Sequence, residues 1–422
     1  MHPPALLTAD VHDPFAMRQA GAQWLSLALM DARNRTLGWL AALEGVGAKR
    51  ELPGHALPGH ELPGHESPLW WIGQVGWFQE RWIARNLQRQ RGPAADPQGP
   101  HLASIEPNAD RWFAPGSTRR ARRRGEAPHF RHALRDYLAA TLESTLELLE
   151  TADDSADALY PYRVALLHED RVSETLASMA RSLESVPKDA PWSLPALPNR
   201  RRLDALGFAA QSVVMGTPGD GFAPDNERPC IEVEVPEFEI DAQPVCWAQY
   251  AEFATDGGYD EARWWSAQGW NWLQASQRRA PRYVEQMGHG VLLRLRGQMQ
   301  RAPAQQSALH VNWYEADAFC RWAGRRLPTE PEWAAAIAVA GGRGFAWGDG
   351  FEWLAGTARA QAGQIDALAA LDAWPVDGAE GERRILRGAS LATVPRQRHP
   401  GARRLALATR DDLFCGFRSC AL

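Results

Sequence analysis

The sequence predicts a multidomain α+β protein, in which a helical N-terminal half precedes a half that mixes short helices and strands. Three observations support this fold class. A chain of 422 residues exceeds the size of one ordinary hydrophobic core. Apolar residues recur at helical spacing through the first half. In the second half they alternate with a period of two over several short segments.

The composition is that of a globular protein, with 45% hydrophobic and 23% charged residues. The net charge of -5 argues against a nucleic-acid partner. No apolar run approaches the roughly 18 residues that span a bilayer, so no membrane partner is expected. The first residues lack a basic region followed by an apolar core, so no secretory signal is predicted. Five cysteines without a CxxC pair favour a reducing, cytoplasmic location over a disulfide framework.

The periodicity of the first half predicts four amphipathic helices, over 15–44, 68–91, 128–150 and 160–184. The fourth helix carries His168, the histidine that best fits a metal ligand. Helices of this length, joined by one long crossover loop, are typical of a four-helix bundle, to which residues 1–184 are assigned.

Two low-complexity segments separate these helices. The tetrapeptide LPGH occurs three times between residues 51 and 66. A solvent-exposed loop is favoured there over a weak metal scavenger built from His55, His60 and His65. The basic run Arg119–Arg124 is likewise interpreted as a solvated loop rather than a patch for nucleic acid or an acidic partner, because no aromatic residues are interleaved with it.

A proline-rich stretch over 185–205 predicts an interdomain linker. In the domain assigned to 206–422, the segment IEVEVPEFEI alternates and predicts strand structure. The segment NWYEADAFCRWAGRR predicts a short amphipathic helix. Turns rich in glycine, proline and aspartate separate many short elements, which favours an α+β domain with much irregular structure.

Motifs along the second half resemble the formylglycine-generating-enzyme-like fold, a relative of C-type lectins. The matching segments are FAPDNERP at 222–229, HVNWYEADAFCRWAGRRLPTEPEW at 310–333, FAWGDGFEW at 345–353, LRGASLAT at 386–393 and the closing RDDLFCGFRSCAL. The resemblance implies the fold of this domain. It does not by itself imply a function.

The first half looks like a DinB-type helical bundle, and a bundle followed by a formylglycine-type domain is the layout of the ergothioneine-pathway sulfoxide synthases (EgtB type). The selenoneine synthases (SenA type) share this layout. The chain is closest to them in SPLWWIGQVGWFQERWIARNLQRQR, LASIEPNADRW and GFRSCAL. The resemblance implies a non-haem Fe(II) enzyme that uses O2 to join a thiol, or a selenol such as a selenosugar, to the imidazole carbon of hercynine.

The resemblance also implies an iron site of three histidines, one in a PLWxLGHxxWF motif and two in an HExxHxE motif. In this chain the corresponding residues are Gln74, His168 and Val172, with Glu174 at the last motif position. An amide oxygen is a poor donor to Fe(II), and valine offers no donor. The predicted metal-facing residues are therefore His168, Gln74 and Glu174 in a degraded site, with His129 and His132 as a less favoured pair.

Glu174 and Asp170 are four residues apart and share a helical face, but that face lies roughly 200° around the helix from His168. They are therefore poorly placed to complete its coordination. After FAWGDGFEW, an alanine-rich stretch at 354–374 replaces the aromatic-rich loop of the relatives.

Hercynine carries a quaternary ammonium and a carboxylate, which aromatic rings and arginine or backbone donors recognise. Five residues in family positions are candidates for substrate binding, and a packing role is open for each: Trp77, Asn312, Trp313, Tyr314 and Arg418. No catalytic residue is assigned.

Two main functional hypotheses remain. The chain is a synthase of this class with an altered metal site, or it is a non-catalytic paralogue that binds a betaine, a selenosugar-like molecule or a protein partner. A lectin-like module is a minor third.

Overall fold

A computed structural model describes residues 10–45, 67–96, 98–114, 133–181, 194–217, 221–228, 230–357 and 383–422. Several predictions lie outside the described residues: the LPGH repeat, the run Arg119–Arg124, the pair His129 and His132, the first part of the predicted linker (185–193), and the alanine-rich stretch beyond residue 357. None of the helices in the described ranges combines the length and the apolarity needed to cross a bilayer.

The N-terminal half is helical, and its elements are α1 (Pro14–Arg18), α2 (Ala22–Gly45), α3 (Pro68–Trp82), α4 (Ala109–Phe113), α5 (Leu134–Glu150) and α6 (Ala156–Met179). The prediction of one helix over 15–44 was wrong, because the chain breaks between α1 and α2. Two hydrogen bonds stabilise this break. Arg163 of α6 donates to the Ala20 carbonyl at 2.9 Å, and Asp154, in the turn before α6, accepts from the Ala22 N–H at 3.2 Å.

Helix α3 begins as predicted, with Pro68 in its first turn and Ser67 accepting from the Trp70 N–H at 3.2 Å. It ends at Trp82 and not at residue 91 as predicted. The cause is Arg85, whose guanidinium binds Asp110 at 2.8 and 2.9 Å and whose Nε donates to the Leu102 carbonyl at 2.8 Å. These bonds turn the chain away from the helix axis.

Helix α6 begins before the predicted residue 160 because Ser155 caps it, accepting from the Ala158 N–H at 3.3 Å. The helix is buried on nearly its whole circumference, charged residues included. Such burial requires partners on every side. Helices α2, α3 and α5 cover one side of α6, and the C-terminal half covers the other.

The C-terminal half is a mixed α+β domain, as predicted. Its helices are α7 (Trp247–Thr255), α8 (Ala267–Ser276), α9 (Trp313–Trp322) and α10 (Glu330–Val339). Its strands are β1 (Leu206–Phe208), β2 (Gln211–Met215), β3 (Ile231–Val235), β4 (Phe238–Ile240), β5 (Val284–Met287), β6 (Val291–Leu295), β7 (Gln298–Ala302), β8 (Phe351–Thr357), β9 (Arg383–Arg387), β10 (Arg403–Leu407) and β11 (Cys415–Gly416).

The described strands form four small sheets rather than one large one. The largest has the order β10-β9-β8-β11, with β11 parallel to β8 and the other pairs antiparallel. The predicted strand segment IEVEVPEFEI is confirmed as β3 and β4, which belong to separate antiparallel pairs, β2–β3 and β1–β4. The predicted amphipathic helix is confirmed as α9.

The two halves share a hydrophobic core. Leu309, Leu391 and Phe414 of the C-terminal half pack with Val172 and Leu176 of α6 in one buried cluster. The mixed helix and sheet content supports an α+β multidomain protein. The boundaries at residues 184 and 205 stay predictions.

Buried ion pairs join α6 to the C-terminal half. Arg396 donates to both carboxylate oxygens of Asp170 at 2.8 and 2.7 Å, and the two side chains are 0% and 1% exposed. One turn further along α6, Glu174 accepts from Thr393 at 2.6 Å and also binds Ser390 and Arg404. Burial alone would lower the pKa of Arg396, but Asp170 and Asp31 raise it above its ordinary value.

Asp170→Asn should lower the free energy of unfolding by about 3 kcal/mol, because removing one charge of a buried pair leaves the other uncompensated. Urea denaturation at neutral pH measures the change. The matched control is Glu285→Gln, which removes an ion pair whose side chains are 40% and 45% exposed. It should cost less than about 0.5 kcal/mol. Equal effects of the two substitutions would contradict a stabilising role for the buried pair.

His399 contacts α1 and makes the stability of the protein depend on pH. Its imidazole packs edge-on against Phe15 at 4.8 Å and accepts from the Gly401 N–H at 2.9 Å. Burial, reinforced by Arg18, lowers its pKa from 6.5 to about 4. The unfolded chain therefore binds a proton between pH 6.5 and pH 4 that the folded chain does not. Stability must fall as the pH drops through this window.

Between pH 6.5 and pH 5, the wild type should lose about 1.5 kcal/mol more stability than His399→Asn. Urea denaturation at the two pH values gives this difference. Phe15→Leu is the control, because it removes the ring contact and keeps the imidazole, so its pH dependence should follow the wild type. If His399→Asn has the wild-type slope, the lowered pKa is refuted.

Candidate functional site

His168 lies at the contact between α6 and α3. Its imidazole stacks on the Phe78 ring with centroids 3.8 Å apart and planes 3° apart, and the residue is 1% exposed. Within the described residues neither ring nitrogen has a hydrogen-bond partner. Burial is the main cause, and Arg171 the second, of a pKa lowered from 6.5 to about 3. The imidazole is therefore neutral, with a lone pair available to a ligand.

The rotation of α6 that directs His168 towards α3 is fixed by the next residue, Glu169. Its carboxylate accepts from Arg33 Nε at 2.9 Å and from Thr36 at 2.7 Å. Arg33 also bonds to Gln79 of α3. A buried network of this kind holds three helices at one relative rotation.

Gln74 lies one helical turn before Phe78 on α3. Helices α3 and α6 run antiparallel: Gly92, beyond the end of α3, packs on Asp157 at the start of α6, whereas Phe78 meets His168. This direction places Gln74 near Val172, one turn after His168. The Gln74 side chain is buried, and its Oε1 has no partner among the described residues.

Glu174, the third predicted metal-facing residue, lies on a different face of α6. Its carboxylate accepts hydrogen bonds from Ser390, Thr393 and Arg404 of the C-terminal half. Asp170 is engaged in the same direction by Arg396. The structure thus brings His168 and Gln74 to one helix contact and orients Glu174 towards the neighbouring domain.

These donors do not fit the three-imidazole iron site that the resemblance implies. The three positions carry an imidazole, an amide and the apolar Val172, which is 2% exposed. Across the described ranges, no group of three or more histidine, cysteine or carboxylate side chains is arranged to hold a metal ion. Fe(II) would gain one strong nitrogen ligand here and a weak amide oxygen.

The predicted substrate-binding residue Trp77 lies on α3, next to Phe78. Its indole N–H donates to Asp110 at 2.7 Å, and the Arg81 guanidinium lies 5.5 Å from its ring centroid. Arg85 binds the same carboxylate. Trp77 therefore connects α3 to α4 and has no hydrogen bond left to offer through its N–H.

Asn312, Trp313 and Tyr314 form the start of α9. Asn312 accepts from the Glu315 N–H at 3.0 Å, and Glu315 accepts from the Asn312 N–H at 2.9 Å, which is a capping box. The Asn312 Nδ2 has no partner in the described part of the chain. Trp313 donates to the Leu354 carbonyl at 2.8 Å, and Tyr314 packs near Trp272.

Arg418 is fully buried. It binds both oxygens of Glu352 through Nε and Nη2, with the Nη2 distance 2.7 Å, and it donates to the Asp241 carbonyl at 2.8 Å. Its guanidinium also lies 3.8 Å from the Phe345 ring centroid. These contacts connect the last strand region to β8.

Sequence reasoning missed Phe78 and Arg33, which orient His168. A signal for Phe78 was present, because it lies four residues after Gln74 and so shares its helical face. For Arg33 no sequence signal existed: an arginine in the middle of an amphipathic helix is ordinarily exposed, and its carboxylate partner is more than a hundred residues away.

Comparison with known proteins identifies the class to which the C-terminal half belongs. Residues 207–370 match the sulfatase-modifying factor enzyme 1-like domain family. A formylglycine-generating enzyme from Streptomyces coelicolor is 33% identical over 144 residues, which cover 31% of this chain and 46% of that protein. The C-terminal half is therefore a domain of this type, preceded by a helical half.

Two longer matches extend over both halves. A hercynine oxygenase from Mycolicibacterium smegmatis is 30% identical over 409 residues, covering 83% of this chain and 90% of that protein. A hercynine oxygenase from Mycobacterium tuberculosis is 28% identical over 400 residues, again covering 83% and 90%. The chain belongs to the hercynine oxygenase family.

A substitution at Gly73, the residue before Gln74, tests how closely α3 packs against α4. A Cβ built on Gly73 would lie 2.1 Å from Cε1 of Phe113. Gly73→Ala should therefore lower the free energy of unfolding by about 1–3 kcal/mol, despite the better helix propensity of alanine. Thermal or urea unfolding measures the loss.

Phe113→Leu opens space beside Gly73. The double variant Gly73→Ala, Phe113→Leu should accordingly lose less stability than the sum of the single losses. Strict additivity of the two losses would contradict the close approach of α3 to α4.

Proposed function

We propose that this protein acts on hercynine, in the O2-dependent joining of a thiol or a selenol to the hercynine imidazole carbon. The observation that carries the proposal is the match to hercynine oxygenases over both halves of the chain. A match to the C-terminal domain alone would support only the fold, because formylglycine-type domains serve several functions.

We further propose that the iron-dependent step is impaired in this chain. Iron, when bound, supplies the activation of O2. His168 is the strong donor that remains, with Gln74 as a weak one beside it. A single imidazole holds Fe(II) much less tightly than three, because the two lost ligands must be replaced by water in a buried, largely apolar place.

The contribution of the residues themselves is to exclude water and to hold a neutral imidazole. Phe78 fixes the plane of the His168 ring, and the surrounding apolar cluster keeps the ring uncharged at neutral pH. We propose more specifically that the second substrate is a selenol. The likeness of the α3 and C-terminal segments to selenoneine synthases supports this choice. The five substrate-binding residues, including Trp77 and Arg418, stay proposals, as does a cytoplasmic location.

Restoring the donors tests the proposal directly. The double substitution Gln74→His and Val172→His should raise the bound Fe(II) from well below one to about one ion per chain after anaerobic loading, because three imidazoles then face one point. Metal analysis after gel filtration measures this. The control adds His168→Ala to the double variant and should lose the ion again.

Calorimetry measures hercynine binding separately on the metal-free wild-type protein and on the restored double variant. Binding by the restored variant supports the proposed substrate, and no binding by either protein would refute it. Wild-type protein that holds one Fe(II) per chain and turns over hercynine with a thiol at the rate of the restored variant would refute the impairment. It would leave the substrate assignment standing.

A further inference from the structure

A basic cluster lies where the end of α6 meets the C-terminal half. Arg181 follows α6, and its Cζ lies 5.1 Å from the centroid of the Phe414 ring. The imidazole of His310 lies 5.3 Å from the same ring. Arg282 reaches the same residue, because it binds the Asp411 carboxylate at 3.3 Å and the Asp411 carbonyl lies 3.1 Å from Nδ1 of His310. Its Cζ also lies 5.1 Å from the centroid of the Tyr283 ring, which contacts His310. None of these groups has a role in the function proposed above.

Counted over the described residues, the cluster holds more positive charge than its carboxylates neutralise. Asp411 is bound by Arg278 and by Arg282, the latter at 3.3 Å, and Asp412 is bound by Arg410 at 2.5 and 2.8 Å. Arg181 has no carboxylate within ion-pair distance among the described residues. Its mostly buried guanidinium has a pKa lowered by burial to about 10, so an anion beside it would relieve an uncompensated charge.

His310 provides an acceptor beside these donors. Its Nδ1 lies 3.1 Å from the Asp411 carbonyl, which can only accept, so Nδ1 carries the proton. The residue is 4% exposed, and in the described part of the chain its Nε2 has no hydrogen-bond partner. Among the described residues Nε2 is thus a buried lone pair without a donor, and the Nε atoms of Arg181 and Arg282 are buried without an acceptor.

The backbone at this place adopts unusual conformations. His310 and Tyr283 both have positive φ, 62° and 66°, although neither is glycine. Their rings are in edge-to-face contact at 4.8 Å. Positive φ in bulky residues is costly and is concentrated at binding sites. The Arg282 Cζ lies 5.1 Å from the Tyr283 ring centroid, and the side chain of Arg282 is 10% exposed.

We propose that this cluster binds a small amino-acid-like ligand. The carboxylate of the ligand accepts from Arg181 and from the unpartnered Nε of Arg282, and a neighbouring ammonium group donates to Nε2 of His310. A zwitterion satisfies the donors and the acceptor together, which an anion without a hydrogen-bond donor, such as sulfate, cannot do.

The site is separate from the His168 contact, because thirteen residues of α6 and its extension correspond to about 20 Å along the helix axis. The inference therefore does not rest on the proposed function.

Three probes separate the two halves of such a ligand: L-alanine, L-alaninamide, which lacks the carboxylate, and propionate, which lacks the ammonium group. Saturation-transfer NMR titrations of the full chain should show L-alanine binding most tightly, with each truncated probe weaker. Arg181→Gln should weaken L-alanine and propionate about tenfold or more and leave L-alaninamide unchanged, because a charge-assisted contact is lost.

Arg279→Gln is the matched control, since this neighbouring arginine is 69% exposed and binds Asp260. It should bind all three probes like the wild type. Arg181→Lys keeps the charge and should retain most of the affinity, which gives a readable result if the glutamine variant does not fold. Wild-type affinity for L-alanine in folded Arg181→Gln, equal competition by sulfate, or no binding of L-alanine by the wild type would each overturn the proposal.

Discussion

The pairing of Asp170 with Arg396 is the constraint on which the rest of the structure depends. Both groups are withdrawn from water, so neither can be left alone without a large cost. The pair therefore fixes the position of α6 against the C-terminal half. Glu174 and Ser178 repeat the contact at intervals of one turn, through Thr393 and through the Asp412 carbonyl. The register of the helix against its neighbour is set at three successive points.

A helix held in this way has no freedom to rotate, and this decides what its remaining residues can do. His168 and Val172 lie away from the face that carries Asp170 and Glu174, so the carboxylates cannot turn to replace the missing imidazoles. The acidic residues that look available in the sequence are committed to holding the domains together. In the described part of the chain, the polar side chain that the structure brings towards His168 is Gln74 of α3.

The helices and the α9 motif followed from the periodicity of apolar residues, and the order of motifs identified the C-terminal fold. The helix ends were less predictable, because long-range bonds determine them: Arg85 leaves α3 to reach Asp110, and Asp154 and Arg163 interrupt the first helix. The sequence shows directly that valine stands at position 172, where the family motif has a histidine. It does not show the partners of Asp170 and Glu174. Those partners come from a segment more than two hundred residues later, and helical spacing carries no information about such contacts.

The buried polar atoms of His168 and Gln74 at the α3–α6 contact reduce the stability of the fold. An imidazole and an amide oxygen that have no partner among the described residues, in apolar surroundings, cost about 1–3 kcal/mol each. Replacing His168 by an apolar ring on Phe78 would remove that cost and keep the packing. The wild-type sequence instead retains a neutral imidazole whose orientation is enforced by Phe78 and, through the helix, by Glu169. A contact built in this way can accept a hydrogen bond from a bound molecule, although it lacks the donors for a three-imidazole metal site. The proposed loss of iron affinity and the proposed small-molecule contact are therefore compatible in one place, because the first depends on the number of imidazoles and the second on the orientation of one.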